Sequence, residues 1–453
     1  MALSIIILAA GEGSRMRSDT PKVLHTLAGT PLLGHVLRTS HALGAGRIIV
    51  VYGHGGEQVR AAFPGEPVTW VEQSERLGTG HAVRQALPHV ELRDTVLVLY
   101  GDVPLIAEQT LRHLIALADE SGLALLTARL VDPSGYGRIV RDAQGRVERI
   151  VEDKDASEAQ RAITEINTGI LALKADQLNA LLAAVSNDNA QGEYYLTDIV
   201  ALAVEKGLAV VTASPRSLDE IMGVNNRAQL AELERGCQRA RARELMLAGV
   251  TLRDPARLDL RGRLSVGRDV EIDVNAVFEG EVSLGDRVKI GANAIIRDAR
   301  IGNDVIIHPF CHIEGADIGQ GCQLGPFARI RPETRCAEGS RIGNFVEIKK
   351  STIGRDSKVN HLSYVGDSTV GSGVNIGAGT ITCNYDGANK HHTQIGDGVF
   401  IGSDTQLIAP VKVGDGATIG AGSTITRDVP PGELTLSRAP QQTVEGWKRP
   451  SRK

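Results

Sequence analysis

A hydrophobic residue returns at every sixth position through long stretches of the second half of this 453-residue chain. A period of six fits neither the 3.6-residue turn of an α-helix nor the two-residue repeat of a strand. Hexapeptide repeats build a parallel β-helix, in which each six residues form one flat side of a coil. The repeat therefore predicts a β-helix, although the period alone leaves its handedness open. The regular positions are Leu260, Val266, Ile272, Phe278, Leu284, Ile290 and Ile296, and later Ile395, Ile401, Leu407, Val413, Ile419 and Ile425.

The repeat is interrupted between its two regular stretches. Single-residue slips separate short runs of the pattern, and the corners of a coil can absorb them. After Ile376 a polar segment, T-C-N-Y-D-G-A-N-K-H-H-T, replaces the pattern until Ile395. We expect this segment to form a loop, where functional residues are common. Cys336 and Thr382 stand where an apolar inward residue is due, which leaves the local coil geometry open.

Length, charge and cysteine content limit the class of protein. The chain is too long for one ordinary core, so we expect two domains or more. Its 50 basic and 54 acidic residues give none of the basic excess of a nucleic-acid binder. Five cysteines without C-x-x-C spacing, and no expected signal peptide, predict reduced thiols in the cytoplasm. No apolar run approaches the ~20 residues that cross a bilayer, so we expect no membrane association.

The first half alternates buried strands with amphipathic helices. Strands are predicted at 5–8, 47–52, 96–100 and 123–128, and helices at 32–43, 80–87 and 110–118. This alternation predicts a Rossmann-like, mostly parallel sheet covered by helices, with ligands beyond the carboxyl ends of its strands. The predicted division is an α/β domain at 1–225, a linker helix at 226–249, and a β-helix with a C-terminal tail at 250–453.

A glycine-rich turn follows the first predicted strand, in L-A-A-G-E-G-S-R-M (8–16). Gly11 and Gly13 leave room for a phosphate to approach backbone amides, and Arg15 and Lys22 add positive charge. The segment matches neither G-x-G-x-x-G nor the P-loop pattern. A tight turn without a ligand remains the alternative from these residues alone.

An aspartate directly follows the apolar run V-L-V-L, within Y-G-D-V-P-L (100–105). Asp102 is thereby predicted at the same sheet edge as the glycine loop, where a carboxylate can hold Mg²⁺ against nucleotide phosphates. A helix-capping role is the alternative for an isolated aspartate. The small-residue turn L-G-T-G-H-A (77–82) is a further candidate, against a flat base or sugar.

Several motifs together carry a family resemblance. Besides the glycine loop, they are P-K (21–22), L-G-T-G (77–80), Y-G-D-V-P (100–104), G-Y-G-R (135–138), E-I-N-T-G (165–169) and G-V-N-N (223–226). These motifs resemble the sugar-nucleotide pyrophosphorylase family. Joined to a hexapeptide domain, the chain is similar over nearly its whole length to the bifunctional family that combines N-acetylglucosamine-1-phosphate uridylyltransferase with glucosamine-1-phosphate N-acetyltransferase.

For the first half, the resemblance implies transfer of UMP from UTP to N-acetylglucosamine-1-phosphate. Arg15 and Lys22 would stabilise the attacked phosphate, while Asp102 and Asn225 would bind Mg²⁺. The sugar-1-phosphate oxygen would attack UTP directly, without an enzyme nucleophile. The residues implied in nucleotide and sugar binding are Leu8, Ala9, Ala10, Gly11, Lys22, Gln73, Gly78, Thr79, Tyr100, Gly101, Gly137, Glu152, Asn167 and Asn225.

For the second half, the resemblance implies acetyl transfer from acetyl-CoA to the amine of glucosamine-1-phosphate. His361 would be the general base, because a neutral imidazole accepts a proton near neutral pH. The implied acceptor-binding residues are Arg331, Lys349, Tyr364, Asn375, Asn384 and Tyr385. The implied acetyl-CoA-binding residues are Ala378, Ser403, Ala421 and Arg438.

The resemblance also implies a left-handed β-helix, a homotrimer with the acetyl-transfer site between subunits, and a role in bacterial cell-wall and envelope precursor synthesis. Two other interpretations remain open. The chain could be a nucleotidyltransferase alone, for example of the ADP-glucose type, with a β-helix that only assembles subunits. It could also be a non-catalytic assembly or regulatory subunit, although the joint presence of Arg15, Lys22, Asp102 and Asn225 argues against lost activity.

Overall fold

The structure of the chain is a computed structural model that describes residues 2–53 and 55–449. It divides into two compact units, Met1–Cys237 and Gln238–Lys453. The division falls within a single helix, Arg227–Leu247, in the segment for which the sequence predicts a linker helix. Among the described residues, none of the helices combines the length and apolar character that crossing a bilayer requires.

The described part of the first unit contains eleven strands. They are β1 (Leu3–Ala9), β2 (Thr26–Leu27), β3 (Thr30–Pro31), β4 (Arg47–Tyr52), β5 (Thr69–Glu72), β6 (Thr95–Tyr100), β7 (Leu123–Arg129), β8 (Arg138–Arg141), β9 (Val147–Val151), β10 (Glu165–Lys174) and β11 (Val210–Ala213). The four strands predicted from apolar runs are β1, β4, β6 and β7. Each is rich in β-branched or leucine side chains and is almost wholly buried, as expected for strands covered on both faces.

Seven strands form the main path of one mixed sheet, in the order β11-β7-β10-β6-β1-β4-β5. Strands β6, β1, β4 and β5 are parallel neighbours, so their carboxyl ends share one edge. Strand β10 is antiparallel to both β6 and β7. The sequence pattern does not indicate the antiparallel direction of this strand, because an apolar run has the same appearance in a parallel and in an antiparallel strand.

Helices cover the sheet, and their apolar faces form the two cores on either side of it. Along the described residues the helices are α1 (Leu32–Ala42), α2 (Gly56–Ala61), α3 (Thr79–Ala86), α4 (Glu108–Ser121), α5 (Glu158–Arg161), α6 (Ala175–Leu182), α7 (Asp198–Glu205) and α8 (Arg227–Leu247). The helices predicted at 32–43, 80–87 and 110–118 correspond to α1, α3 and α4.

The second unit is a left-handed parallel β-helix. The hexapeptide period predicts the parallel coil, and the family resemblance implies its handedness. One side of the coil is an 11-stranded parallel sheet: Thr251–Leu252, Glu271–Ile272, Lys289–Ile290, Ile306–Ile307, Gln323–Leu324, Arg341–Asn344, Lys358–His361, Asn375–Ile376, Phe400–Ile401, Thr418–Ile419 and Leu434–Thr435. The other sides form a 17-stranded sheet: Leu258–Val266, Ala276–Leu284, Ile295–Arg297, Arg300–Ile301, His312–Glu314, Ala316–Ile318, Arg329–Ile330, Thr334–Cys336, Glu347–Lys349, Thr352–Ile353, Tyr364–Gly366, Ser368–Val370, Ile381–Cys383, Thr393–Ile395, Gln406–Ile408, Val411–Val413 and Thr424–Ile425.

The inward positions of the repeat stack directly above one another. Ile272 pairs with Ile290, and Ile290 pairs with Ile307, so one coil takes 18 residues and the next takes 17. The single-residue slips in the sequence are therefore coils that are one residue shorter. Ile376 pairs with Ile401, 25 residues later, because the polar segment adds a loop to that coil.

Cys336 and Thr382 do not break the coil. Cys336 is buried and pairs with Ile318 and Ile353, so it occupies an ordinary inward position. Thr382 is also buried, and its hydroxyl accepts a hydrogen bond from the Gly366 backbone N–H at 2.8 Å. A polar side chain is accommodated inside the coil because a backbone group satisfies it.

One corner of the coil carries an exposed apolar ladder, formed by Phe310, Phe327, Phe345 and Leu362 on successive coils. The rings of the three phenylalanines stack in sequence, with centroid distances of 4.9 and 5.2 Å. All four residues have positive φ, between 48° and 63°. This conformation is unfavourable for bulky side chains, and other coils place Asn293 or Asp404 at the corner with a positive φ.

Candidate functional sites

A cavity of about 320 Å³ opens at the carboxyl edge of the first unit's sheet, where the sequence predicts ligand binding. Nine predicted residues line it together: Leu8, Ala9, Ala10, Gly11, Lys22, Gln73, Gly78, Thr79 and Tyr100. Asp102, the predicted metal ligand, also lines it. The predicted glycine loop and the predicted carboxylate thus belong to one pocket.

The glycine loop brings cationic groups to this pocket. Gly13 has a φ of 64°, and a β-carbon there would lie 2.7 Å from the β-carbon of Lys22, so only glycine lets Lys22 pack this closely. The Lys22 ammonium donates a hydrogen bond to a carboxylate oxygen of Asp102. Arg15 donates to the side-chain oxygen of Asn225 at 2.9 Å. The backbone N–H of Val224 donates to the Asp102 carbonyl at 3.0 Å, which ties the Asn225 segment to the Asp102 turn.

The Gln73 side chain is held at the other end of the pocket. Gln73 directly follows β5, whereas Gly11 follows β1 and Asp102 follows β6. With strands ~4.8 Å apart, the strand that precedes Gln73 lies about 14 Å from the strand that precedes Asp102. The Gln73 amide nitrogen donates to the Gly78 carbonyl at 3.1 Å. Thr79 begins α3, and its hydroxyl accepts a hydrogen bond from the Leu196 backbone at 3.0 Å.

The remaining predicted residues of the first unit form a group beside Tyr100. A β-carbon on Gly137 would lie 3.6 Å from both carboxylate oxygens of Glu152, and the backbone N–H of Asn167 donates to the Gly137 carbonyl at 2.8 Å. Burial raises the pKa of Glu152, although a hydrogen bond from the Thr197 hydroxyl opposes this effect. Burial also raises the pKa of Tyr100, with the charges of Glu152 and Asp102 adding to the shift. Gly101 packs against Ala9, the residue at the end of β1, and a β-carbon on Gly101 would lie 3.3 Å from the β-carbon of Ala9.

Several residues of this pocket were not predicted from the sequence. Glu193 and Arg76 line it, together with Val23 and Ala82, and Thr197 supports Glu152. Glu193 and Thr197 belong to E-Y-Y-L-T-D (193–198), a run of acidic, aromatic and hydroxyl residues between two helices, which could have indicated a functional loop. Arg76 forms an ion pair with Glu12 at 3.0 Å across the mouth of the glycine loop.

In the β-helix, four predicted residues lie in one column at a corner of the coil. Lys358, Asn375, Phe400 and Thr418 pair with one another on successive coils. The residue three positions after each of them therefore stacks in the same way, and these residues are His361, Ala378, Ser403 and Ala421. Arg438 joins the column from the C-terminal segment, because it donates to the Ala421 carbonyl at 2.7 Å. The predicted base and the predicted acetyl-CoA residues therefore form a continuous strip.

His361 is exposed and has a single side-chain partner among the described residues, Asn344 of the preceding coil. Its Nδ1 lies 3.0 Å from Asn344 Oδ1. An amide oxygen only accepts, so with Asn344 Oδ1 facing the ring we assign the proton of the neutral imidazole to Nδ1, which gives Nε2 a free lone pair. The arrangement leaves Nε2 able to accept a proton from a substrate.

A cationic group stands near this column on the adjoining sheet. Arg331 forms an ion pair with Glu347 at 2.9 Å. The pKa of Lys349 is lowered, chiefly because the Lys390 ammonium is its hydrogen-bonding neighbour. Lys390, which was not predicted from the sequence, comes from the polar loop, where it pairs with Tyr385 across a short hairpin. Crowded ammonium groups favour binding of an anion.

The other predicted acceptor residues surround this cationic group or lie near it along the coil. Asn384 donates to the Asp367 carboxylate at 2.5 Å, and the charge of Asp367 acts on Lys349. The ring of Tyr364 lies over Gly366, where a β-carbon would be 2.3 Å from the tyrosine oxygen. Asn375 is on the adjoining side, in register with Lys358 and Phe400.

Comparisons with known proteins cover both units. Residues 5–168 match the MobA-like NTP transferase domain, residues 298–332 and 392–427 match the bacterial transferase hexapeptide, and residues 281–309 match the hexapeptide repeat of succinyl-transferase. A protein named bifunctional protein GlmU from Azoarcus sp. (strain BH72) is 60% identical over 448 residues, which cover 99% of each chain. Its namesake from Methylococcus capsulatus is 60% identical over 453 residues, covering 100% of this chain and 98% of that one. A third, from Nitrosospira multiformis, is 59% identical over 452 residues, covering 100% of this chain and 98% of that one.

Proposed function

Since this chain belongs to the family of bifunctional GlmU proteins, we propose that its two units carry out two consecutive reactions of UDP-N-acetylglucosamine synthesis. The β-helix transfers acetyl from acetyl-CoA to glucosamine-1-phosphate. The first unit then transfers UMP from UTP to N-acetylglucosamine-1-phosphate and releases pyrophosphate. The product serves bacterial peptidoglycan and lipopolysaccharide synthesis. We assign the first-unit activity to residues 1–225 and the second to 250–453.

In uridylyl transfer, an oxygen of the sugar phosphate forms a bond to the α-phosphorus of UTP, and the bond to pyrophosphate breaks. The assignment of this step depends on the pocket that joins the glycine loop, Lys22 and Asp102. Lys22 and Arg15 are charged groups next to the loop, where they can neutralise the phosphates as negative charge moves to pyrophosphate. Gln73, at the far end, would contact the base, while Tyr100, Gly137, Glu152 and Asn167 would hold the sugar.

The residues present fit a divalent metal ion, for which we propose Mg²⁺. Its proposed protein ligands, Asp102 and Asn225, supply oxygen atoms, and a cationic group of the protein already contacts each of them. The described residues include no cluster of three or more His, Cys, Asp or Glu side chains suited to a metal. Mg²⁺ commonly takes one or two protein ligands and completes its shell with water and phosphate oxygens. When bound, it supplies positive charge to the phosphates.

In acetyl transfer, the substrate ammonium first loses one proton to solvent. The neutral amine nitrogen then forms a bond to the thioester carbon while His361 would remove a second proton from it through Nε2. The carbon–sulfur bond breaks, and the imidazolium gives its proton to the departing thiolate of CoA. Arg331, Lys349 and Lys390 would bind the acceptor phosphate, whose charge relieves the crowding of the two lysines. The strip of Ala378, Ser403 and Ala421 leaves space for the arm of acetyl-CoA along the coil, with Arg438 at its end.

We also propose that the protein is a homotrimer and is cytoplasmic. The exposed apolar ladder supports self-association, because burial against another surface would stabilise three stacked phenylalanines that have an unfavourable backbone conformation. Leu362 is next to His361, so a second copy seated on the ladder would border the acetyl-transfer strip. Free thiols at Cys311, Cys322, Cys336 and Cys383 support a reducing compartment.

One incubation tests both reactions. The purified protein with glucosamine-1-phosphate, acetyl-CoA, UTP and Mg²⁺ should yield UDP-N-acetylglucosamine, CoA thiol and pyrophosphate, which mass spectrometry identifies. His361→Ala should stop thiol release and leave uridylylation of supplied N-acetylglucosamine-1-phosphate intact. Asp102→Ala should have the opposite effect. Unchanged thiol release in His361→Ala would favour the nucleotidyltransferase-only interpretation, and no pyrophosphate from the wild type would favour the regulatory one.

A further inference from the structure

We propose that His81 and Gln85 set the base selectivity of the uridylyl site by fixing the orientation of the Gln73 amide. This inference rests on the proposed function, in which Gln73 contacts the nucleotide base. Neither His81 nor Gln85 lines the pocket, so both would be positioning residues. Their effect would pass through a short chain of hydrogen bonds along α3.

The Gln73 side chain is nearly buried and its nitrogen is fully engaged. Residue Gln73 is 6% exposed. Its amide nitrogen donates to the Gly78 carbonyl at 3.1 Å and contacts His81 Nδ1, also at 3.1 Å. An amide nitrogen has two hydrogens, so both are used. The amide oxygen receives no hydrogen bond from the described residues and is the atom left for a ligand in the pocket.

The tautomer of His81 follows from the same contacts. A carbonyl oxygen only accepts, so Gly78 requires the nitrogen end of Gln73 at this place. His81 Nδ1 must then accept as well, which places the single proton of the neutral ring on Nε2. The Gln85 amide nitrogen lies 2.9 Å from His81 Nε2, which would place two donors against each other. Since the two ends of an amide have the same shape, we assign this amide in the reverse orientation, in which its oxygen accepts the proton.

The presented oxygen selects among pyrimidine bases. Uracil carries an N–H at ring position 3, whereas cytosine has a bare acceptor nitrogen there and would face the Gln73 oxygen lone pair to lone pair. An unmatched pair of acceptors in a buried site is costly. If the amide turned over, its NH₂ end would suit cytosine instead. Gly78 and His81 together prevent this rotation.

The test is the ratio of kcat/KM for UTP to that for CTP in the full-length protein with Mg²⁺. His81→Ala removes one of two restraints, so we expect the ratio to fall roughly tenfold, about the effect of one neutral hydrogen bond. His81→Asn should restore most of it, because the Asn oxygen can accept near the position of Nδ1. His113→Ala, on α4, is the matched control and should leave the ratio unchanged.

The outcomes separate this inference from the proposed function. If the wild type does not turn over UTP, the proposed function itself is wrong. If the wild type prefers UTP and His81→Ala keeps the same ratio, only the role of His81 is overturned. If His81→Ala fails to fold, His81→Asn decides between the two outcomes. A UTP-to-CTP ratio close to that of the wild type supports the role of residue 81 as a hydrogen-bond acceptor, and a ratio roughly tenfold lower contradicts it.

Discussion

At the scale of single residues, Lys390 shows how one charged side chain changes the pKa of its neighbour, Lys349. Its ammonium is the main cause of the lowered pKa of Lys349, and the charge of Arg331 acts in the same direction. A lysine with a lowered pKa loses its proton, and hence its hold on a phosphate, at a lower pH than an ordinary lysine. A bound phosphate dianion would reverse this shift by favouring the charged form.

We therefore predict two effects of Lys390→Met on acetyl transfer. The KM for glucosamine-1-phosphate should rise about tenfold, because one cationic contact with the phosphate is lost. The pH at which affinity declines should move upward, because the pKa of Lys349 returns toward its ordinary value. The measurement is KM against pH from neutral into the alkaline range. Lys289→Met, at an exposed lysine paired with Glu271, should change neither quantity.

Glu152 gives a pH-dependent prediction for stability. Burial raises its pKa in the folded state, so the folded protein binds a proton more tightly than the unfolded chain does. The group therefore reduces stability as pH rises from the unfolded pKa through the raised folded pKa. Glu152→Gln should increase Tm by about 2 °C at neutral pH and have little effect near pH 4. A Tm that increases equally at both pH values would contradict this account, as would one that decreases at neutral pH.

The sequence pointed to single residues only where a motif surrounds them. Asp102 and His361 could be proposed because short motifs resembling known families flank both. Lys390 and Glu193 could not, because each is a charged residue in a polar loop, and only the folded chain shows what it faces. Asn344 was missed for the same reason, since its contact with His361 arises from coil register, 17 residues away.

At the scale of elements, the glycine loop depends on the absence of one methyl group. Gly13→Ala adds a β-carbon 2.7 Å from Lys22 at a φ of 64°, so Lys22 must move away from Asp102. We predict at least a 100-fold loss of uridylyl transfer with unchanged acetyl transfer, because misplaced phosphate contacts act mainly on the transition state. Gly65→Ala provides the control, because it has a φ of 75° and no atom within 4 Å of the added carbon. Equal losses in both variants would show that backbone strain alone is responsible.

Inside the coil, two buried threonines should respond oppositely to the same substitution. Thr382→Val leaves the buried N–H of Gly366 without its acceptor and should lower the free energy of unfolding by about 1–3 kcal/mol. Thr393→Val should be neutral or stabilising, because its buried hydroxyl has no hydrogen-bond partner among the described residues. Chemical denaturation of both variants measures the difference. Equal destabilisation would show that valine simply packs poorly at inward positions.

The two units differ in how far the sequence could predict their elements. The β-helix was predictable because a six-residue period restricts every coil, and even its slips proved to be 17-residue coils. The first unit was predictable only for its most apolar strands and their neighbouring helices. The antiparallel insertion of β10 between β6 and β7 depends on long-range pairing, which leaves no local periodic signal.

At the scale of the whole molecule, each unit contains its own candidate site and its own core. The unfavourable backbone conformation of the exposed apolar ladder is therefore not explained by the fold of a single chain, but contact with a second copy would explain it. Asparagine adopts positive φ more readily than phenylalanine, and Asn293 does so at the corresponding corner of another coil. Folding of a single chain therefore does not require phenylalanine at positions 327 and 345, since Phe327 and Phe345 are 46% and 56% exposed.

We predict that Phe327→Asn combined with Phe345→Asn separates assembly from folding. The isolated chain should unfold at the same or a higher denaturant concentration, because the backbone conformation suits asparagine better. The double variant should shift from the trimer that we propose toward monomer in sedimentation velocity, and acetyl transfer should fall more than tenfold, since the strip at His361 borders the ladder. Uridylyl transfer should stay at the wild-type level. Val131→Asn, at a fully exposed apolar residue of the first unit, should change none of these properties. A double variant that remains trimeric would locate the contact between copies elsewhere on the coil.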